Sequence, residues 1–428
     1  MTDHMTASSL FARNREKFTG HLPENALAFF NSNDLFPRNG DQFFAFRQNS
    51  DLFYLTGINQ EETMLMLFPD CPNKDLREVL FILRSSEKTE TWEGHKLDKK
   101  EATRISGIEK VRFADELETV LTEAMAYAGP VFLNSNEYPK FYTDVPYRDL
   151  RFAADLQKKY PNHDYRRSAP LMHNLRMVKE MEELNVIQRA VDITGKAFER
   201  ILKFVAPGRK EYEIEAEMRH EFSLNGAAGF AYSPIIASGK NSCVLHYTDN
   251  TDECKDGQLL LMDFGAEYLN YAADITRTIP VNGKFTEWQQ QCYESVLSVQ
   301  KEAIKMFVPG NTIDQLNKDV NSLMEAEMLK LGLLKKEEIA KQDPEKPLYM
   351  KYFMHGTTHF MGLDVHDVGS KYEPFRPGMV FTCEPGLYIR EQGMGIRLEN
   401  NIVVTKKGPE DLSKHIPIEP DEIEKLMK

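Results

Sequence analysis

The chain has 428 residues, which at about 100–200 residues per domain suggests two to four domains and a core that needs no disulfides or structural zinc. Its 53 Lys and Arg residues against 66 Asp and Glu residues give a net charge of −13 with neutral histidines. An acidic chain without a Lys/Arg block is a poor candidate for binding nucleic acid or an anionic membrane surface. We therefore expect neither partner.

The cysteines and the apolar runs indicate the compartment. The five cysteines are odd in number and scattered without a CxxC pair, so we expect reduced thiols in a cytoplasmic protein. The stretch Met1–Lys17 lacks the apolar centre of a secretory signal. No apolar run reaches the ~18–20 residues that a membrane span requires.

The first third of the chain alternates short apolar runs with helical spacing. Glu61–Pro69 and Leu76–Leu83 are predicted as buried strands, Asp115–Ala128 as a helix and Val131–Asn134 as a further strand. Such alternation is typical of an α/β domain. The polar stretch Tyr160–Arg167 then predicts a boundary, with one domain over residues 1–165 and a second over 170–428.

The second domain begins with longer helical patterns. Helices are predicted over Val178–Val205, Glu211–Leu224, Glu287–Val308 and Thr312–Leu331, each followed by Gly, Pro or Asn signals. Strand-rich stretches lie between and after these pairs. The predicted fold class is therefore mixed, α/β or α+β.

Two of these strand-rich stretches resemble each other. Asp263 follows Gly257 by six residues across an apolar run, and Glu384 follows Gly378 in the same way. Each is followed by a second strand with an acidic residue, namely Asp274 and Glu399. So short a match can arise by chance; the stronger interpretation is a duplicated half-domain in which each half supplies two carboxylates to a shared centre.

Four carboxylates in four apolar strands predict a cation site. Aspartate is depleted in strands and almost never buried unless it is paired or bound to metal. For the first hairpin, one Asp paired with Arg277 and the other exposed is an equally good interpretation. Burying all four together costs several kcal/mol per charge unless cations compensate, and two divalent ions do so. Oxygen-rich ligands favour Mn²⁺, with Co²⁺ or Zn²⁺ as alternatives.

Histidines cluster near the third of these acids. His355, His359 and His366 lie within twelve residues, flanked by glycines, and His246 stands apart from them. A single histidine there would be read as a core residue, whereas three together are typical of a site. No GxSxG, HExxH or P-loop motif competes. The residues thus favour hydrolysis by a metal-bridging hydroxide without a covalent intermediate.

At these residues the sequence resembles a known family. The order Asp263, Asp274, His359, Glu384, Glu399, together with HGxxHxxGLDVHD from His355 to Asp367, is similar to the pita-bread metallopeptidases of family M24. That family includes methionine aminopeptidase, prolidase, aminopeptidase P and creatinase. The resemblance covers Val178 to about Thr405. The stretch Phe46–Gly57 also resembles the N-terminal domain of aminopeptidase P, the Xaa-Pro aminopeptidases.

The resemblance implies a fold and an activity. It implies an N-terminal aminopeptidase P/creatinase-like α/β domain followed by a pita-bread catalytic domain with a pseudo-twofold repeat. The implied enzyme is a metalloexopeptidase that releases an N-terminal residue when proline is second, with a peptide as its partner. A prolidase restricted to dipeptides is the alternative. A non-catalytic pita-bread binding protein is more remote, because such proteins lose ligands that this chain retains.

The resemblance also implies roles for individual residues. For the metals, it implies Asp263 as chelator of one ion, Asp274 and Glu399 as bridges, and His359 and Glu384 as ligands of the other. For the substrate, it implies Glu384 as proton shuttle, His355 at the oxyanion, His246 and His366 along the subsites, and Arg397 holding the acids beside Tyr388. Asp41 and Trp92 match positions that reach a neighbouring subunit's active site in oligomeric relatives, which implies a homodimer or homotetramer. As a departure, Asn400-Asn401 stands where the family has an acidic pair.

Overall fold

The structure, a computed structural model, describes residues 8–428. These residues form two compact units, one up to Arg176 and one from Met177. The start of the chain, where the sequence predicts no secretory signal, lies partly outside the described residues. Within residues 8–428, no helix has both the length and the apolar character that crossing a bilayer requires.

The N-terminal unit alternates helices and strands around one mixed sheet. Its elements are α1 (Ser8–Thr19), β1 (Leu27–Asn31), β2 (Pro37–Asn39), β3 (Gln42–Phe43), α2 (Ser50–Thr56), β4 (Met64–Leu67), β5 (Glu78–Ile82), α3 (Glu87–Glu93), α4 (Lys99–Ser106), β6 (Val111–Phe113), α5 (Leu117–Tyr127), β7 (Pro130–Leu133), α6 (Arg148–Lys159), β8 (Asp164–Arg167) and α7 (Ala169–Met177). The six-stranded sheet has the order β6-β5-β4-β1-β7-β8. Strand β4 runs antiparallel to both neighbours, and the outer pairs are parallel.

Burial explains which of these strands the sequence predicts. Every residue of β1 and β4 is buried, as expected for central strands covered on both faces. The predicted strands at 61–69 and 76–83 contain β4 and β5, and the predicted helix contains α5. Strand β8 lies inside the polar stretch predicted as a boundary. Most of β8 is exposed at the sheet edge, so no apolar pattern marks it.

The C-terminal unit packs pairs of helices against short antiparallel sheets. Its elements are α8 (Met181–Phe204), α9 (Glu211–Leu224), β9 (Gly229–Phe230), β10 (Ile235–Ser238), β11 (Leu259–Phe264), β12 (Ala266–Tyr268), β13 (Tyr271–Ala272), β14 (Ile275–Pro280), α10 (Glu287–Ile304), α11 (Ile313–Lys330), α12 (Lys336–Ile339), β15 (Val380–Cys383), β16 (Gly386–Ile389), β17 (Met394–Arg397), β18 (Asn400–Thr405), β19 (Gly408–Asp411) and α13 (Pro420–Leu426). Its three-stranded sheets have the orders β10-β11-β14, β13-β12-β9 and β15-β18-β19.

Local chemistry sets where the long helices begin. Thr286 caps α10 through the N–H of Gln289, and Thr312 caps α11 through the N–H of Gln315. Helix α8 begins at Met181, later than predicted. The residue before it, Glu180, is extended. Lys179 donates its N–H to the carbonyl of Gly378, which withdraws it from the helix.

The two halves of this unit repeat one arrangement. In the first half α8 packs on α9, and β11 pairs antiparallel with β14. In the second half α10 packs on α11, and β15 pairs antiparallel with β18. Each half therefore presents one antiparallel strand pair, and the four predicted carboxylates lie in or beside these strands.

Candidate metal centre

The first pair of carboxylates sits on a hairpin whose turn is fixed by its backbone. Asp263, in β11, pairs in register with Thr276, and Asp274 lies two residues before that threonine. Residues two apart on a strand share a face, so both carboxylates point to one side. The chain reverses at Leu269 and Asn270, which both have positive φ, as a two-residue hairpin turn of type I′ requires.

A glycine lets the two arms of this hairpin meet. A Cβ atom on Gly265 would lie 1.7 Å from the carbonyl oxygen of Ala273. No side chain fits there, so glycine is required for the close approach that brings Asp274 beside Asp263.

The second pair of carboxylates lies at the matching ends of β15 and β18. Cys383 pairs with Asn400 in this ladder, so Glu384 and Glu399 follow as the next pair where the regular hydrogen bonding stops. The N–H of Glu384 donates to the carbonyl of Thr357, and that of Glu399 to the carbonyl of Thr276. The second of these bonds joins the two halves of the centre.

His359 completes the cluster. Its Nε2 lies 3.5 Å from Asp274 Oδ2 and 3.6 Å from Glu384 Oε1. Its Nδ1 lies 2.9 Å from the carbonyl oxygen of Phe360. Because a carbonyl only accepts, Nδ1 holds the ring proton in the neutral form. The lone pair of Nε2 then faces the carboxylates, which is the orientation of a metal ligand.

Crowding of these acids indicates that the site needs positive charge. Burial, and then the charge of Asp263, raise the pKa of Asp274. Burial raises the pKa of Glu384 to about 7 and that of Glu399 well above its usual value. Burial opposes the charged form of His359, yet its hydrogen bond to Asp274 and the charge of Glu384 raise its pKa to about 9.

Two further observations show that these residues are suited to bind a divalent cation. Asp274, His359 and Glu399 each offer a ligand atom, and these atoms lie within 4.8 Å of one another. Glu399 Oε2 accepts a hydrogen bond from Thr276, whereas its buried Oε1 has no partner among the described residues. A buried carboxylate oxygen without a donor is costly, and a cation would satisfy it.

A hydrogen-bonded chain runs from Asp263 away from the cluster. Arg397 donates from Nη2 to Asp263 Oδ2 at 2.5 Å and from Nη1 to the hydroxyl of Tyr388 at 3.0 Å. The Tyr388 hydroxyl lies 2.8 Å from His355 Nε2, and His355 Nδ1 lies 2.8 Å from the carbonyl oxygen of Gly356. By the same reasoning as for His359, Nδ1 holds the ring proton and Nε2 accepts from Tyr388. Burial, and then Arg397, lower the pKa of His355 to about 4.

The alternative pairing of an Asp with Arg277 is wrong. Arg277 is fully buried, but it donates to the backbone carbonyls of Thr276, Ile416, Pro417 and Glu399. Both aspartates are largely buried, and it is Arg397 that pairs with Asp263. Arg277 thus supports the backbone beside the cluster and forms no salt bridge with either aspartate.

Sequence reasoning missed two residues of this centre. The hydroxyl of Tyr232 contacts both Asp263 Oδ1, at 2.5 Å, and Asp274 Oδ1. The side-chain amide of Asn401 brackets the backbone of Asp274, accepting from its N–H and donating to its carbonyl. Asn401 was visible in the sequence as a departure from the family pattern. Tyr232 had no such signal, because its contacts join residues more than thirty positions apart.

The remaining predicted residues are His366, His246, Asp41 and Trp92. The ring of His366 is exposed and packs edge-to-face on His359, with centroids 4.5 Å apart. His246 is exposed, and its charge contributes to lowering the pKa of His355. Asp41 and Trp92 belong to the N-terminal unit, where Asp41 lies between β2 and β3 and Trp92 on α3. Both are exposed.

Comparison with known proteins agrees with this geometry. Residues 185–406 match the metallopeptidase family M24, and residues 11–132 match the aminopeptidase P N-terminal domain. The chain is 35% identical to Xaa-Pro aminopeptidase of Escherichia coli, over 97% of both chains. It is 30% identical to human Xaa-Pro aminopeptidase 3, over 92% of this chain and 79% of the human one.

Solved structures show the same likeness across both units. A putative aminopeptidase P from Bacillus anthracis superposes with a TM-score of 0.92 at 34% identity, covering 99% of this chain and 98% of that one. Zinc-substituted E. coli aminopeptidase P, in complex with product, has a TM-score of 0.89 at 34% identity and the same coverage. The fold predicted from the repeat and the family motifs is confirmed, and the chain belongs to metallopeptidase family M24, within its aminopeptidase P group.

Proposed function

We propose that this chain is a metal-dependent aminopeptidase that releases the N-terminal residue from peptides with proline in second position. The observation that carries the proposal is the cluster of Asp274, His359 and Glu399, with Glu384 and Asp263 beside it, in which the buried Glu399 Oε1 lacks a partner among the described residues. The names of the relatives support the proline specificity, and they favour a longer peptide over the dipeptide of a prolidase.

The ligand set favours two divalent ions, with Mn²⁺ preferred and Co²⁺ or Zn²⁺ as alternatives. Carboxylates suit hard cations, and a single imidazole is compatible with all three. In this proposal Asp263 would hold one ion, His359 and Glu384 would hold the other, and Asp274 and Glu399 would be shared between them. When bound, the ions supply an activated water as nucleophile and polarise the carbonyl group before proline.

The protein side chains then orient the substrate and move protons. A carboxyl group whose pKa lies near neutrality is suited to general acid–base work. In this proposal Glu384 would take a proton from the attacking water and deliver it to the departing proline nitrogen. That nitrogen carries no hydrogen in the peptide, so specificity depends on a pocket that receives the ring.

The surrounding residues have supporting roles in this proposal. Arg397 holds Asp263 in place, and Tyr388 links Arg397 to His355. His355 stabilises the developing oxyanion, which requires its Nε2 to carry a proton and release the Tyr388 hydroxyl. His246 and His366, both exposed, line the subsites on either side of the cleaved bond.

A substrate comparison tests this proposal directly. Xaa-Pro-Xaa tripeptides, Xaa-Pro dipeptides and Xaa-Ala-Xaa tripeptides are incubated with the Mn²⁺-loaded protein, and the released amino acid is quantified. We expect release of the first residue from the Xaa-Pro-Xaa tripeptide. Cleavage of the dipeptide but of neither tripeptide would instead indicate a prolidase. Cleavage of none of the three substrates would contradict a peptidase function.

We also propose a homodimer or homotetramer in which Asp41 and Trp92 reach a neighbouring subunit's centre. The hairpin of β2 and β3 that flanks Asp41 carries exposed Phe43, followed by exposed Phe44, and Trp92 is 81% exposed. Large exposed apolar groups of this kind are typical of interfaces. Light scattering after size-exclusion chromatography tests the proposal, and a monomeric mass would contradict it.

The compartment and the domain division are proposals of the same kind. The cysteines are all free and buried, which is compatible with the cytoplasmic location expected from the sequence. We propose residues 1–165 as an N-terminal aminopeptidase P-like domain and 170–428 as the catalytic domain. Expression of residues 170–428 alone tests the division, because a separate domain should retain its fold.

A further inference from the structure

Glu211, the first residue of α9, is a fully buried carboxylate outside the metal cluster. Five hydrogen-bond donors surround it. Its Oε1 accepts from Ser238 N at 2.8 Å, Ser238 Oγ at 2.8 Å and Asn241 Nδ2 at 3.2 Å, and its Oε2 accepts from Tyr247 OH at 2.7 Å and Asp252 N at 2.9 Å.

The donors come from the two ends of one segment. Residues 239–251, here called the His246 loop, follow β10 and return to the start of α9. Ser238 directly precedes this loop and Asn241 lies near its beginning, whereas Tyr247 lies in its second half and Asp252 directly follows it. One carboxylate therefore closes the loop, assisted by a bond from the N–H of Glu211 to the carbonyl of Asp252.

A second buried group fixes the returning part of the loop. Asn250 has a positive φ of 50° and is almost fully buried. Its Oδ1 accepts from the N–H of Ile236, and its Nδ2 donates to Glu215 Oε2 and to the carbonyl of Pro234. Between these anchors Val244 and His246 are exposed, so the loop presents His246 from a base that is fastened on both sides.

We propose that Glu211 is a positioning residue for catalysis, which holds the His246 loop so that His246 meets the substrate. The inference rests on the substrate role proposed for His246. An exposed side chain on a loop of thirteen residues takes its position from the loop's anchors. Besides the bonds to Glu211 and Asn250, these include the packing of Leu245 and Tyr247 on a buried apolar cluster and a hydrogen bond from the N–H of Gly395 to Ser242 Oγ. A displacement of about 1 Å in such a group can cost up to 10²-fold in rate.

Replacing Glu211 with glutamine tests the anchor with a minimal change of shape. A glutamine side chain has one carbonyl oxygen, whereas the Glu211 carboxylate serves two backbone N–H groups, at Ser238 and Asp252. Whichever way the amide turns, one of these N–H groups faces an NH₂ group and loses its acceptor. The anchor at one end of the loop is then weakened.

The first measurement is a double-mutant cycle on kcat/KM with a Mn²⁺-loaded protein and an Xaa-Pro-Xaa tripeptide. We expect Glu211→Gln to lower kcat/KM about tenfold in the natural sequence. In the His246→Ala background we expect less than a twofold further loss, because the group being positioned is already gone. Equal losses in both backgrounds would show that Glu211 acts independently of His246, and would overturn the inference.

The second measurement does not depend on activity. Amide hydrogen exchange of the metal-free protein should be at least about tenfold faster over residues 244–251 in Glu211→Gln, with unchanged exchange in β11 and β14. Tyr247→Phe, which removes one donor and leaves Glu211 intact, should show the same change in smaller degree. The Tyr247→Phe variant keeps the anchoring role testable if Glu211→Gln fails to fold.

A control variant and the outcomes separate the two proposals. Glu424→Gln alters another buried carboxylate that accepts a backbone N–H, that of Phe285, and should leave exchange over 244–251 and kcat/KM unchanged. Unchanged exchange in both Glu211→Gln and Tyr247→Phe would overturn the anchoring role. Unchanged kcat/KM in His246→Ala would overturn the substrate role of His246 and the catalytic part of this inference, whatever the exchange shows.

Discussion

Glu384 combines two proposed tasks, since it is both a metal ligand and the proton shuttle. It lies at the end of β15, where its N–H is held by the carbonyl of Thr357 and its Oε1 lies 3.5 Å from the hydroxyl of Thr382. These contacts fix the backbone and one oxygen, and an amide of the same shape can keep them. A substitution of Glu384 by glutamine can therefore change the activity while leaving the fold intact.

We expect Glu384→Gln to fold but to lose at least about 10²-fold in kcat, because glutamine cannot accept the proton of the attacking water. Circular dichroism and steady-state kinetics test this. Glu424→Gln serves as the control for loss of a buried carboxylate. Turnover within a few-fold of the natural sequence would show that Glu384 is neither shuttle nor ligand.

The three histidines of the 355–366 stretch are expected to differ in what they bind. His359 Nε2 faces the carboxylates, whereas His355 Nε2 faces Tyr388, and the His366 ring is exposed. We expect His355→Ala and His366→Ala to lower kcat/KM on the order of 10²-fold while retaining two metal ions per chain. His359→Ala should lose metal, as determined by elemental analysis. A fully loaded His359→Ala beside a stripped His355→Ala or His366→Ala would reverse the assignment.

At the scale of elements, the hairpin of β11 to β14 depends on Gly265. A methyl group there would collide with the carbonyl of Ala273, so we expect Gly265→Ala to separate Asp263 from Asp274. The variant should bind fewer than two ions and unfold at a lower temperature. Gly356→Ala is the control, because its added Cβ would lie 3.5 Å from the nearest atom, Asn317 Nδ2. Full metal content in Gly265→Ala would contradict this view of the hairpin.

In the N-terminal unit, helix α6 is tied to the sheet by a buried acid. Asp149 accepts from Asn31 N and Nδ2 and from Asn134 Nδ2. Burial raises its pKa to about 7 in the folded protein, against about 3.9 in the unfolded chain. As pH rises, Asp149 therefore loses its proton at a lower pH in the unfolded chain than in the folded protein. Folding stability consequently falls as pH rises from about 4 through 7.

We expect Asp149→Asn to remove this part of the pH dependence. Between pH 4.5 and 8 the free energy of unfolding of the N-terminal unit should fall by about 1–3 kcal/mol less in the variant than in the natural sequence. Amide hydrogen exchange of β1 and α6 at both pH values measures the difference. An identical pH dependence in variant and natural sequence would show that Asp149 ionises with its ordinary pKa.

The elements also show what the sequence could predict. The acids Asp263 and Glu384 were visible because an apolar run that ends in a carboxylate is unusual, and the same logic led to Asp274 and Glu399. Strand β8 was missed because its exposed residues carry no alternation. Tyr232 and Glu211 were missed because their importance lies in hydrogen bonds to distant residues, which local patterns do not encode.

For the whole molecule, the repeat explains how one chain encloses a cluster of like charges. Each half supplies a strand pair that ends in carboxylates, and a backbone bond from Glu399 N to Thr276 O joins the halves. Neither half alone brings the four acids together. The compact units divide between Arg176 and Met177, whereas the sequence predicts a division between residues 165 and 170.

The central claim is that the five clustered residues hold two divalent ions on which cleavage before proline depends. Exhaustive removal of metal by chelation, followed by titration with Mn²⁺, tests it when bound metal and hydrolysis of an Xaa-Pro-Xaa tripeptide are measured together. We predict no hydrolysis by the stripped protein, and recovery of activity as two equivalents per chain bind. Undiminished hydrolysis by the stripped protein, or two bound equivalents without any recovery, would contradict the account.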